Sequence, residues 1–310
     1  MTTPPDATAA MRRTTLRDCV RLEGIGLFSA RPVRVAIHPA SGGGIWFRRT
    51  DLPGQPACRA TVASLSTRPV HPAFARMAPR STTLQTPSGD LVATTEHVLS
   101  ALVGVGVTDA RIDLDGLEVP LMDASSLVFV EAIRAVGVRE GEPLRQRVLP
   151  HPIEVRDGEA WARATPRESA GCSFRYDLDY DAMASGSDPD AAASAAWLGR
   201  QSALWDGSAA RYASEIAPAR TFCLRHEADA MRSAGLLTHL RESDALVIGP
   251  DGPIGTTQRL EHEPARHKLL DLIGDLALVG DPVRMDVHAS RGGHALNHRL
   301  ARAILDALGD

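Results

Sequence analysis

Two short stretches of this chain carry one pattern. HVLSALVG (97–104) and HKLLDLIG (267–274) both read His-x-Leu-x-x-Leu-x-Gly, each with an apolar residue before the glycine. Leu269, Leu272, Ile273, Leu276 and Leu278/Val279 keep the apolar spacing of an amphipathic helix, predicted over 263–280. Each copy precedes a second helical stretch, SSLVFVEAIRAVG (125–137) and HALNHRLARAILDALG (294–309). The pattern predicts an α+β fold of two similar sheet-plus-two-helices units packed helix to helix. A duplicated unit facing itself brings His97 and His267 together.

The second copy adds chemistry. Asp271 stands where the first copy has Ala101. His267 and Asp271 are four apart, so they share one helix face with Cβ atoms about 5–6 Å apart. By themselves they also fit an ordinary helix-surface pair. With His97 they make a His₂Asp set with a fourth position open for water, the donor set of a catalytic metal site. Lys268 sits beside them and is the only lysine among 34 lysines and arginines. An ammonium does not substitute for a planar guanidinium, so the amine itself is marked for a role.

Composition bounds the rest. A 44% hydrophobic and 23% charged chain of 310 residues has a substantial core, in one large or two modest domains. The net charge of −4 argues against a nucleic-acid binder. Cys19, Cys58, Cys172 and Cys223 are scattered without a CxxC pair and read as reduced residues. No apolar run reaches membrane-span length, and MTTPPDATAAMRR lacks the apolar core of a signal peptide. A cytoplasmic protein is expected.

Along the chain, residues 1–12 read as a disordered tail and 13–140 as the first α+β unit. VREGEPLRQRVLP (138–150) is the best linker candidate, placed at 141–150, and 151–310 forms the second unit. RSTTLQTPSGDLVATTEH holds a hairpin around Pro87–Asp90, with Thr94 or Thr95 as N-cap of the helix that follows. Glu118 and Asp123 read as turn and capping residues. SGSDPDAAASAAW (185–197) reads as a mobile loop. His38, His71, His151, His226, His239, His262, His288 and His298 have no motif support and read as surface or satisfied core residues.

Several stretches in fixed order then carry a resemblance. They are TTEHVLSAL (94–102), PLMDAS (120–125) with Glu118 before it, ARTF (219–222), RHKLLDLIGD (266–275) and GHALNHRL (293–300), and the span opens with RTTLRDCVRLEGIGL (13–27). Together they resemble the UDP-3-O-acyl-N-acetylglucosamine deacetylase family, the zinc amidases of lipid A synthesis. The resemblance implies a β-α-α-β sandwich of ribosomal S5 domain 2-like units, with an insert at about 222–250 forming an acyl tunnel. It implies a metal on His97, His267 and Asp271, zinc by family, with Fe²⁺ accepted by the same ligands. Glu96 is then the general base, Thr221 supplies a hydroxyl to the oxyanion, His294 held by Asp275 acts as the cation and acid, and Lys268 contacts substrate. Phe28, Thr83, Phe222, Lys268 and Arg291 are the substrate-binding positions it suggests. UDP-3-O-acyl-N-acetylglucosamine is the implied partner, the protein is expected to be a monomer, and a transient membrane-surface contact suits a lipid substrate.

Departures from the family pattern lie on the substrate side. Phe28 replaces His, Ala30 and Ala124 replace Gly, Cys223 replaces Gly, Arg291 replaces Lys, and RES (241–243) replaces a Gly-Gly-Ser turn. They motivate a second reading, a related zinc deacetylase acting on another N-acylated nucleotide sugar. A non-catalytic binding module on the same fold is the reading from a different class; the full set of catalytic side chains speaks against it.

Overall fold

A computed structural model describes residues 11–72, 79–241 and 244–309. The expected tail, up to residue 10, and Glu242 and Ser243 of the RES stretch lie outside the described residues. Arg12 already begins a strand, Arg12–Leu16, paired with Val138–Pro143.

The described chain is α+β. One mixed sheet of five strands runs Val20–Ile25, Pro32–Pro39, Ala110–Leu114, Ile45–Arg49, Ala57–Arg59 across its width. A second runs Ile153–Asp157, Ala160–Pro166, Val283–Ser290, Cys172–Asp179, Arg200–Trp205, with Arg147–Val148 pairing onto Val283–Arg284. In chain order each sheet is arranged first, second, fifth, third, fourth. Polarity agrees as well: the fifth strand runs antiparallel to the second and parallel to the third in both sheets. Period-2 burial gives each sheet one inward face. Val33, Val35 and Ile37 point inward from one, and Val283, Met285, Val287 and Ala289 from the other.

The helices are α1 (Glu96–Gly104), α2 (Leu127–Val136), α3 (Pro189–Leu198), the single turn α4 (Ala209–Arg211), α5 (Arg225–Ser233), α6 (Glu263–Leu276) and α7 (His294–Leu308). None among the described residues is long and apolar enough to cross a membrane. The helix predicted over 263–280 is observed as α6, extended by a 3₁₀ turn, Ala277–Val279. Its polar face is buried along with its apolar one, since His267, Asp271 and Asp275 are all shielded. The reason is α1, which packs against it. A Cβ at Gly274 would run into the Glu96 carbonyl, and one at Gly104 into the Tyr212 ring. The shared glycine of the two stretches therefore serves close approach in both copies, against different neighbours.

Two local expectations change. Residues 185–197 are not a loop throughout: α3 occupies Pro189–Leu198. Asp188 accepts hydrogen bonds from the Asp190 and Ala191 N–H groups, Pro189 opens the helix, and the alanines carry it. At α1 the N-cap residue Thr95 makes no side-chain cap bond; its hydroxyl donates instead to the Thr82 carbonyl at 3.1 Å. The expected hairpin is present, with Leu84–Gln85 paired to Leu91–Val92. Of the expected linker, residues 141–143 lie in the strand against Arg12–Leu16, and Arg147–Val148 joins the second sheet.

Candidate active site

The crossing of α1 over α6 places His97 and His267 with ring centroids 5.1 Å apart. Asp271 Oδ1 lies 3.4 Å from His267 Nε2 and 3.8 Å from His97 Nε2. One ligand atom from each of the three residues falls within 4.8 Å of the others, and all three side chains are buried. The surroundings set their donor state. His267 Nδ1 faces the Ala219 carbonyl at 3.0 Å, so Nδ1–H donates there and the Nε2 lone pair turns inward. Burial, with His267 next to it, brings His97 down to about 3, and burial lowers His267 as well. Burial opposes the charge of Asp271, but Lys268 and the surrounding histidines outweigh it and hold the carboxyl below its usual range. Two neutral imidazoles and a carboxylate converge without a proton to share. That donor set suits a divalent cation.

Lys268 Nζ donates to Asp271 Oδ2 at 2.9 Å, leaving Oδ1 toward the histidines. Burial disfavours this ammonium, and Asp271 more than compensates. The lone lysine is thus first a partner of Asp271.

Glu96 and His294 flank the set, and both line the same cavity. Burial pushes Glu96 up to about 8, against the pull of His294. Burial works against a charged His294, but Asp275 outweighs it and raises the imidazole to about 9. The bond responsible is His294 Nδ1 to Asp275 Oδ2, 2.8 Å, and Asn297 Nδ2 donates to the same oxygen at 2.8 Å. A carboxyl pushed up and an imidazole pushed up thus share the wall of one cavity, the kind of pair that general acid–base chemistry uses.

The cavity is about 780 Å³. Thr221, Phe222, Phe28, Lys268 and Arg291 are on its wall, as the sequence suggested. Asp275 is fully buried behind His294 and acts through it. Thr83 is buried and is not on the wall; its carbonyl accepts the Ser66 N–H at 2.9 Å. Arg291 ties its guanidinium to Asp179 Oδ2 at 2.7 Å. Beyond Phe222 the wall turns apolar through Met231, Leu237, Leu240 and Val247. That segment is built from the parallel strands Phe222–Leu224 and Leu246–Gly249 with α5 between them. Cys223 is on this wall too, and burial pushes its thiol up to about 11, so it stays protonated and apolar in character. Arg241, at the rim, pairs with Asp244 at 3.1 Å.

Some supporting residues take roles that the sequence did not assign them. Glu118 is fully buried and accepts the Phe28 N–H at 3.0 Å and the Ser29 N–H at 2.7 Å, fixing the loop that presents Phe28. Arg220 and Glu263 form a buried ion pair at 2.9 Å that ties ARTF to the first residue of α6. It thereby sets Ala219 and Thr221 against the ligand helix. His298 is the satisfied kind of histidine that the sequence allowed, with Nε2 2.7 Å from Thr82 Oγ1.

A model of the family described as UDP-3-O-acyl N-acetylglycosamine deacetylase matches residues 13–306. The chain belongs to that family. Among members of the deacetylase family named UDP-3-O-acyl-N-acetylglucosamine deacetylase, the protein of Trichormus variabilis is 36% identical over 305 residues, covering 95% of this chain and 99% of its own length. Those of Acidithiobacillus ferrooxidans and Neisseria meningitidis are 34% and 33% identical, each covering 95% of this chain and 90% of its own.

Proposed function

We propose that this protein hydrolyses the N-acetyl group of UDP-3-O-acyl-N-acetylglucosamine, giving acetate and the free 2-amino sugar, in lipid A biosynthesis. The observation that carries the reading is the buried convergence of His97, His267 and Asp271, sharing with Glu96 and His294 the wall of a cavity whose lining includes an apolar stretch. A divalent ion held by those three residues, zinc in our assignment and Fe²⁺ as the other ion the set accepts, supplies a Lewis acid and lowers the pKa of water.

The chain's own groups do the rest. Glu96 takes a proton from the attacking water. The Thr221 hydroxyl donates to the oxygen on which negative charge develops. His294, kept cationic by Asp275, delivers a proton to the departing amine. Lys268 holds Asp271 and faces the substrate as a point charge. The apolar wall from Phe222 to Val247 takes the acyl chain, Phe28 covers the sugar, and Arg291 faces the phosphates. Thr83, off the wall, supports this segment through its backbone.

The matching strand order of the two sheets and the α1–α6 crossing support a two-unit sandwich, residues 13–140 and 151–310, packed helix to helix. Four separate thiols are in keeping with a reducing, cytoplasmic compartment. A monomer that meets the membrane surface transiently to collect its lipid substrate fits this reading.

Metal content and turnover separate the roles. Asp271→Ala should lose the metal, whereas Glu96→Gln should keep it and lose about 10²-fold or more of kcat. Near-normal turnover by Glu96→Gln would remove the base assignment.

A further inference from the structure

Base and acid sit on different helices, α1 and α7, and the acid's partner Asp275 sits on a third, α6. One buried residue outside all three touches each of them. Thr82 is fully buried and lies in the segment before the hairpin of Leu84–Gln85 and Leu91–Val92. Its N–H donates to Glu96 Oε2 at 2.9 Å. Its hydroxyl donates to Asp275 Oδ1. His298 Nε2, on α7, lies 2.7 Å from the same hydroxyl oxygen. Its carbonyl accepts from the Thr95 N–H at 3.2 Å and the Thr95 hydroxyl at 3.1 Å. Every polar atom of Thr82 is therefore engaged.

The hydrogen-bond directions are forced. A carboxylate only accepts, so the single hydroxyl proton goes to Asp275. The oxygen's lone pairs then face His298, whose Nε2 must donate. His298–Thr82–Asp275–His294 is one connected array, and the Thr82 backbone joins it to Glu96. A β-branched side chain at this position has few χ1 rotamers, so the hydroxyl direction is set before substrate arrives.

We propose that Thr82 is the positioning residue of this site, fixing the Glu96 carboxylate through its backbone and the Asp275–His294 pair through its hydroxyl. The proposal rests on the roles given to Glu96 and His294 above. Thr82 is not on the cavity wall, so its loss should spare substrate binding. It contacts none of the three metal ligands directly, so metal should stay.

Thr82→Val keeps shape and backbone and removes only the hydroxyl. Expected are a fall in kcat of about 10- to 100-fold, as for other orienting hydrogen bonds behind a reacting group, with unchanged KM and metal content. Thr82→Ser should recover most of kcat. Thr95→Val, which breaks only the hydroxyl contact to the Thr82 carbonyl, controls for general loosening and should cost much less kcat at similar loss of Tm. Wild-type kcat in Thr82→Val, a loss confined to KM, or a Ser variant as poor as Val would overturn the proposal. If the wild-type protein fails to turn over, the functional reading falls. The array is then judged by proton NMR of the His294 Nδ1–H, which should be slow to exchange in wild type and fast in Thr82→Val. Equal exchange in the two proteins overturns it.

Discussion

His294 shows how one side chain's surroundings fix its state. Its folded value of about 9 stands above the ordinary histidine value of about 6.5 because Asp275 outweighs burial. Between those values the native protein binds a proton that the unfolded chain does not. The pair's stabilisation is therefore complete below pH ~6.5 and is lost as pH rises through 9. Asp275→Asn removes the charge behind the shift. Urea titrations at several pH values should then show a flatter loss of stability on the alkaline side, and the alkaline limb of kcat should move to lower pH. An unmoved limb would mean that another group sets it. Backbone strain gives a second test. Ala30 is exposed and sits at φ 54°, where glycine is at ease and alanine is not. Ala30→Gly should raise stability by about 1 kcal/mol in a melting experiment. At this scale the sequence was readable where spacing carried the chemistry: His267 and Asp271 share a helix face at i, i+4, and the Leu and Gly framework around His97 matches theirs. The contacts of Thr82, Glu118 and Arg220 were not readable, although Glu118 and Arg220 lie in or beside stretches that carry the resemblance. Their roles arise from contacts 193, 90 and 43 residues away in the chain, with no local period to betray them.

At the scale of elements, the site depends on how closely α1 and α6 approach. Gly274 is the point of contact, against the Glu96 backbone. Gly274→Ala forces the helices apart or distorts them, at a cost of about 1–3 kcal/mol for overpacking. The same movement separates His97 from His267, so metal affinity should fall together with stability. Unchanged metal affinity in a folded Gly274→Ala protein would show that the crossing is more compliant than this. The helices that carry the site were legible because their apolar spacing is strong. Helix α3 was misread because its alanines and serines look like low-complexity loop, although Asp188-Pro189 signals a helix start. Taken alone, His267 and Asp271 on α6 also fit a surface pair; the face is buried because it meets α1 and the cavity, which only the matching stretch around His97 foreshadowed.

Across the whole molecule, two sheets of the same strand order and polarity carry the helices between residues 96 and 308. The paired stretches foreshadowed this, but the strand order could not be read from them, since it depends on which strands cross over. Metal should couple to the fold as a whole. Three converging buried ligand groups are costly without a cation, and an ion bound only to the native state stabilises it by mass action. Chelation should lower Tm, and adding back Zn²⁺ should restore it. An identical Tm before and after would place the ion elsewhere or nowhere. The acyl-binding role proposed for the apolar stretch of the cavity wall sets the last prediction. The most direct measurement is acetate release from UDP-3-O-acyl-N-acetylglucosamine, across several acyl lengths and against the same compound lacking its acyl chain, by protein of determined metal content. The account predicts turnover that needs one divalent ion, stops on chelation and falls sharply without the acyl chain. Metal-loaded protein that releases no acetate at any acyl length would contradict it.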